Sequence, residues 1–145
     1  MEPIFGGCHC GTIFVQVVLT RDTSQYAPRA CDCSYCRKHG AAYVSDPKGR
    51  MVIHIKDEQR CQRYRQGSGS AEMVLCRECG VLIGAIYRDV AWLYGTINVT
   101  AMDSSLTWGT GVTASPQQLS APEKVERWKA LWFADVALVG GGEAK

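Results

Sequence analysis

A mainly β, largely antiparallel fold with short helices is what this sequence predicts, and three observations predict it. Short runs rich in β-branched and aromatic residues recur along the chain. Turn-forming clusters separate them, and the cysteines fall in tight groups suited to stapling separate segments together. At 145 residues, one domain spanning 1–145 is the natural expectation, and a chain of this length can bury a real core.

Thr12 to Leu19 opens the strand pattern, β-branched at most of its positions. Further strands are expected at Tyr43–Ser45, Met51–Ile55, Gln62–Arg65, Glu72–Leu75, Leu82–Tyr87 and Ala91–Ile97. The turns between them are marked by Asp46-Pro47-Lys48-Gly49, Gln66-Gly67-Ser68-Gly69-Ser70 and Arg88-Asp89. Ser34 to His39 reads as a helix of at most two turns that ends at Gly40. A second helix opens at Ser120-Ala121-Pro122-Glu123, where Ser120 caps and Pro122 suits the first turn. Val125, Trp128, Leu131 and Trp132 share one face of it, as expected for a helix docked on a sheet; a lid or dimer contact is the alternative. Asp135–Val139 is expected as an edge strand, and Gly140–Lys145 as a frayed tail.

The N-terminus, Met1-Glu2-Pro3-Ile4-Phe5, lacks the basic and apolar regions of a signal peptide. No apolar run reaches the ~20 residues that span a bilayer. The expected setting is therefore a reducing cytoplasm without membrane attachment, where eight cysteines are poor candidates for a disulfide framework. Seven of them lie in clusters: Gly7-Cys8-His9-Cys10-Gly11, Cys31-Asp32-Cys33-Ser34-Tyr35-Cys36 and Cys76-Arg77-Glu78-Cys79-Gly80.

These spacings suit metal ligation. In an extended segment Cys8 and Cys10 point to one face and His9 to the other, which argues against His9 as a ligand. Cys36 falls near a helix N-terminus, with Arg37 and Lys38 adjacent, and both features favour thiolate. A closed structural site wants four soft ligands, whereas a reactive site keeps three and an open position. Cys8, Cys10, Cys76 and Cys79 make the four; Cys31, Cys33 and Cys36 make the three. Other groupings are arithmetically possible, but this one strands no clustered thiol. Cys61 reads as a strand residue, with a fourth-ligand role as the lesser alternative. Seven bound thiolates and two zinc ions would take the formal charge from +2 to about −1, which weakens a nucleic-acid role. The basic segments Lys48-Gly49-Arg50 and Arg60 to Arg65 are short and mixed with Asp57 and Glu58, as in a solvated face.

Across roughly residues 4 to 100, the three cysteine motifs resemble the glutathione-dependent formaldehyde-activating enzyme family, which includes centromere protein V-like proteins. The resemblance implies a β-tent, Mss4-like fold. It implies a structural zinc at Cys8, Cys10, Cys76 and Cys79, and a second zinc at Cys31, Cys33 and Cys36, where the chemistry occurs. The implied activity is carbon–sulfur lyase, forming or splitting S-hydroxymethylglutathione from glutathione and formaldehyde, so a small thiol and an aldehyde are the expected partners. A three-thiolate zinc suits thiol activation. His39 is the best histidine for proton transfer, and Arg37, Lys38 and Arg50 are candidates for substrate carboxylates. The rival readings are a non-enzymatic zinc-binding interaction module and a thiol-redox or metal-buffering protein.

Overall fold

A computed structural model describes residues 1–140. The strands are β1 (Ile4–Gly7), β2 (Ile13–Val18), β3 (Arg29–Cys31), β4 (Ala42–Val44), β5 (Arg50–Ile55), β6 (Cys61–Tyr64), β7 (Glu72–Cys76), β8 (Leu82–Asp89), β9 (Trp92–Asn98), β10 (Val112–Ala114) and β11 (Val136–Gly140). The helices are α1 (Ser34–His39) and α2 (Ala121–Leu131). Among the described residues no helix is long and apolar enough to cross a membrane.

Two sheets form the frame. The smaller runs β1-β2-β5-β11 and the larger β10-β3-β4-β9-β8-β7-β6. Alternation explains the packing of β2: Ile13, Val15 and Val17 are fully buried, while Phe14 between them is exposed. Those three residues meet Val44, Val74, Ile83 and Ile97 of the larger sheet in the main core. The larger sheet is also covered on its other face. There Tyr43, Met73, Leu82 and Ala85 pack with Cys36 of α1 and with Trp128 and Trp132. Coverage on both faces is why β8 is buried for five residues running rather than at alternate ones.

All seven expected strands form, and the expected edge strand appears as β11, with Gly140 paired in it to Ile55. The rest of the expected tail, residues 141–145, lies outside the described residues. Three strands go beyond the sequence reading: β1, β3 and β10 have only three or four residues each, too few for alternation to register. Most pairings are antiparallel, but β10 runs parallel to β3 and β11 parallel to β5, so both sheets are mixed. Strand patterning carries no direction, and both parallel partners are distant in sequence.

Helix α2 forms as its N-terminal residues dictate. Ser120 Oγ accepts from the Glu123 N–H at 3.2 Å, and Glu123 Oε1 accepts from the Ser120 N–H at 2.8 Å. Such a reciprocal box stabilises a helix start by about 1 kcal/mol. The expected apolar face holds at Trp128 but ends early: Leu131 is exposed, and Trp132 leaves the helix and is buried beside Trp128.

The β4–β5 turn is held by a buried carboxylate. Asp46 accepts from the Thr20 hydroxyl at 2.6 Å, the Thr20 N–H at 3.0 Å, the Tyr26 hydroxyl at 2.6 Å and the Lys48 N–H at 2.9 Å. Burial pushes its pKa up, but these four donors outweigh that and hold it at about 2.

Candidate functional site

The cysteines gather as two groups, Cys8, Cys10, Cys76 and Cys79 in one and Cys31, Cys33 and Cys36 in the other. Within each group every sulfur lies within 4.8 Å of the others, and each group could hold a metal ion.

The first group joins the turn after β1 to the turn after β7. Cys8 to Thr12 is a tight turn rather than extended chain, so Cys8 and Cys10 converge by chain reversal and not by strand alternation. Their Sγ atoms are 3.7 Å apart, and Cys10 Sγ is 3.6 Å from Cys76 Sγ. Tetrahedral thiolates about 2.3 Å from an ion have sulfur–sulfur edges of about 3.8 Å, so this geometry fits a bound metal. Backbone donors point at the sulfurs: Ile13 N–H to Cys8 at 3.3 Å and Cys79 N–H to Cys76 at 3.5 Å. Gly80 follows in the left-handed region at φ 80°, which only glycine occupies without strain. A hydrogen bond with Thr12 lowers the Cys10 thiol to about 6, whereas burial raises Cys8 to about 11. His9 is exposed and outside the group. Cys61 sits opposite Cys76 in the β6–β7 ladder as a buried strand residue.

The second group is built on a helix start. Cys31 ends β3, and Cys33 is the N-cap of α1, its Sγ accepting from the Cys36 N–H at 3.4 Å. Cys36 is buried and its Sγ lies 3.2 Å from Tyr43 Oη. Hydrogen bonding with Cys36 lowers Cys31 to about 6, and the same contact together with burial pushes Cys36 far up. Burial also drives the Tyr43 hydroxyl upward, so it keeps its proton at neutral pH. Asp32, between two of the cysteines, is anchored to a distant segment. Its carboxylate accepts from Ser115 Oγ at 2.5 Å and Gln117 Nε2 at 3.2 Å, and its N–H donates to Ala114 O at 3.0 Å.

The two groups differ in what surrounds them. Cys31, Cys33 and Cys36 line a cavity of about 330 Å³ that no member of the first group touches. Tyr43 and Met73 form part of its lining on the sheet side, and Trp128 and Trp132 part of its lining on the other. The indoles stack 4.9 Å apart at 20°. Gln66 reaches the edge of the cluster, its Nε2 4.0 Å from Cys33 Sγ.

Positive charge enters this cavity from unexpected places. Arg37 and Lys38 are exposed and do not line it; Arg50 is on the smaller sheet, 3.4 Å from Asp135. His39 is exposed too, its ring 4.7 Å from that of Tyr35 and outside the cavity lining. The cations that do line it are Arg29, Lys124 and Arg127. Burial, reinforced by the nearby charge of Arg127, lowers the Arg29 guanidinium to about 10. The sequence held a signal for each. Arg29 lies two residues before Cys31 on one strand, hence on the same face. Lys124, Arg127 and Trp128 follow the i, i+3, i+4 spacing of one helix face.

A β framework that brings seven cysteines into two groups, each able to hold a metal ion and one of them opening on a cavity, defines a class of cysteine-cluster protein. The family of glutathione-dependent formaldehyde-activating enzymes matches residues 3–118, and the chain belongs to that family. The match extends past the cysteine motifs and stops before α2. The chain is also similar to a Rhodobacter sphaeroides protein of known crystal structure. That protein is 20% identical, with 94% of this chain and 100% of the other covered and a TM-score of 0.49.

Proposed function

We propose that this chain is a zinc-dependent carbon–sulfur lyase that forms or splits hemithioacetals of a small, glutathione-like thiol with an aldehyde. One observation carries the reading: three converging thiols form the wall of a cavity, while four others make a group remote from it. On this reading two zinc ions bind per chain, a structural one at Cys8, Cys10, Cys76 and Cys79 and a reactive one at Cys31, Cys33 and Cys36. Zinc with three protein ligands supplies acidification of a thiol and polarisation of a carbonyl.

The chain's own residues supply the rest. In the addition direction a C–S bond forms, the carbonyl π pair moves to oxygen, and that oxygen takes a proton; splitting reverses each change. Tyr43 Oη, protonated and on the cavity wall, donates a hydrogen bond to Cys36 Sγ when that sulfur is a thiolate. That bond holds the sulfur's charge at the cavity wall, a role for which His39, exposed and outside the lining, is less well placed. Arg29, Lys124 and Arg127 would hold substrate carboxylates, in place of Arg37, Lys38 and Arg50. The buried indoles exclude water, which strengthens each polar contact. The basic stretch on β6 supports a small-molecule role over a nucleic-acid one, since its arginines are paired. Arg60 meets Asp57 at 3.6 Å, Arg63 meets Glu58 at 2.7 Å and Arg65 meets Glu72 at 3.3 Å.

The test is exchange spectroscopy by NMR on zinc-loaded protein mixed with glutathione and formaldehyde, then with a panel of thiols and short aldehydes. Exchange faster than in protein-free solution is expected. Equal rates across the panel would sink the lyase reading and favour a binding module. Metal analysis should give two zinc ions per chain, one removed faster by a weak chelator.

A further inference from the structure

Helix α2 begins after residue 118, where the family match ends, yet it supplies a wall of the cavity. That wall therefore lies outside the span the family match describes. We propose that it is a recognition subsite for a carboxylate attached to an aromatic or bulky apolar body, and that it does not recognise an ammonium group. The proposal rests on the lyase reading only for which end of the ligand faces the cysteines.

Charge gives the first part of the argument. Lys124 and Arg127 are one turn apart on α2, and Arg29 approaches from β3. Among the described residues none of the three makes an ion pair. Arg29 donates only to neutral oxygens, Ser45 Oγ at 2.9 Å and Thr96 Oγ1 at 3.4 Å. Among the described residues no aspartate or glutamate lines the cavity. Asp32 is hydrogen-bonded by Ser115 and Gln117, and Asp89 is paired with Lys129. Three thiolates around one divalent ion carry a single net negative charge, so three cations leave an excess of positive charge. Half-buried cations without counter-charge favour an anion strongly, and a planar guanidinium favours a carboxylate in particular. An ammonium finds no partner here.

Shape gives the second part. A one-carbon aldehyde fills little of a cavity of about 330 Å³, a size typical of sites for drug-sized ligands. The stacked Trp128 and Trp132 offer it a flat apolar surface, and Met73 and Ala85 add to the apolar lining. Lys124 closes over the opposite loop: a Cβ built on Gly67 would lie 3.5 Å from Lys124 Nζ. One anion-binding edge and one aromatic face, side by side, select a ligand with both features.

The test uses the zinc-loaded full chain, ¹⁵N-labelled, titrated separately with 3-phenylpropionate, its primary amide and 3-phenylpropylamine. The acid is expected to move the indole N–H signals of Trp128 and Trp132 and to leave those of Trp92 and Trp108. It should bind at least about tenfold more tightly than the amide, with the amine weakest. Lys124→Met and Arg127→Met, singly and together, should cut the acid's advantage over the amide stepwise, leaving only the part that Arg29 supports, without loss of zinc. Lys129→Met, which breaks the pair with Asp89 outside the cavity, should change nothing. Equal affinity of the three probes overturns the proposal. So does an acid preference of undiminished size in the double variant, since Lys124 and Arg127 then contribute nothing to it. If hemithioacetal exchange is absent while the acid preference stands, the lyase reading falls and the subsite remains.

Discussion

The two cysteine groups are made of the same ligand type and similar sulfur spacing, yet they sit in opposite surroundings. The group of four ties two turns together and lies outside the lining of the 330 Å³ cavity; Cys8 and Cys76 Sγ accept from backbone N–H groups. The group of three uses one strand end and one helix start, and a phenol hydroxyl rather than another thiol completes its surroundings. On the proposed reading the group of four is a staple and the group of three a reactive centre. The separation comes from what the fourth direction meets: a fourth sulfur in one case, open space in the other.

Breaking the group of four should have the largest effect. Cys79→Ser is expected to cost more than about 5 kcal/mol of stability, enough to abolish folding, because metal binding at such a site is folding free energy. Circular dichroism and denaturant titration would register it. Breaking the group of three should instead spare the fold. Cys33→Ser keeps a competent N-cap for α1, so melting should shift by only a few degrees. One zinc of two should be lost and activity should fall at least about a thousandfold. If both variants unfold, or both fold, the contrast between the groups is wrong.

Tyr43→Phe sharpens the comparison from the open side. It removes the hydroxyl 3.2 Å from Cys36 Sγ without creating a void. Turnover is expected to drop about ten- to a hundredfold at unchanged zinc content. A control remote from both groups sets the scale for stability alone. Asp46→Asn should lose about 2 kcal/mol at neutral pH, since the carboxyl is held at about 2 against an ordinary 3.8. A depressed carboxyl stabilises the fold fully above pH ~4 and loses that contribution as pH falls toward 2. The gap between native protein and variant should therefore narrow on acidification, while activity per folded molecule stays the same.

Much of this was legible before any coordinates. The span of α1 and the cap of α2 followed from short-range chemistry, and the sorting of seven thiols into four and three followed from ligand counting. What was not legible depended on tertiary placement. Tyr43 read as one more strand residue; only the return of the chain after α1 brings its hydroxyl to Cys36. Lys124 and Arg127 drew no reading from the sequence, and the tryptophans beside them read as packing. Their meaning depends on which sheet face α2 covers, and that is set by pairing between distant strands. The convergence of Cys8 and Cys10 was expected for the wrong reason, since a turn rather than an extended segment produces it.

Gly95 fixes where α2 ends. Its N–H and carbonyl exchange hydrogen bonds with Phe133 at 3.1 and 2.8 Å, directly after Trp132. A Cβ there would lie 2.4 Å from Met51 Cε and 3.3 Å from Ala85 O, so a larger residue would have to displace the end of the methionine side chain. The roof of the cavity is thus riveted to the middle of the larger sheet and does not swing on a hinge. Its side chains can be exchanged for others without re-aiming the backbone that carries them, so the lining above the three cysteines can be altered while their positions stay as they are.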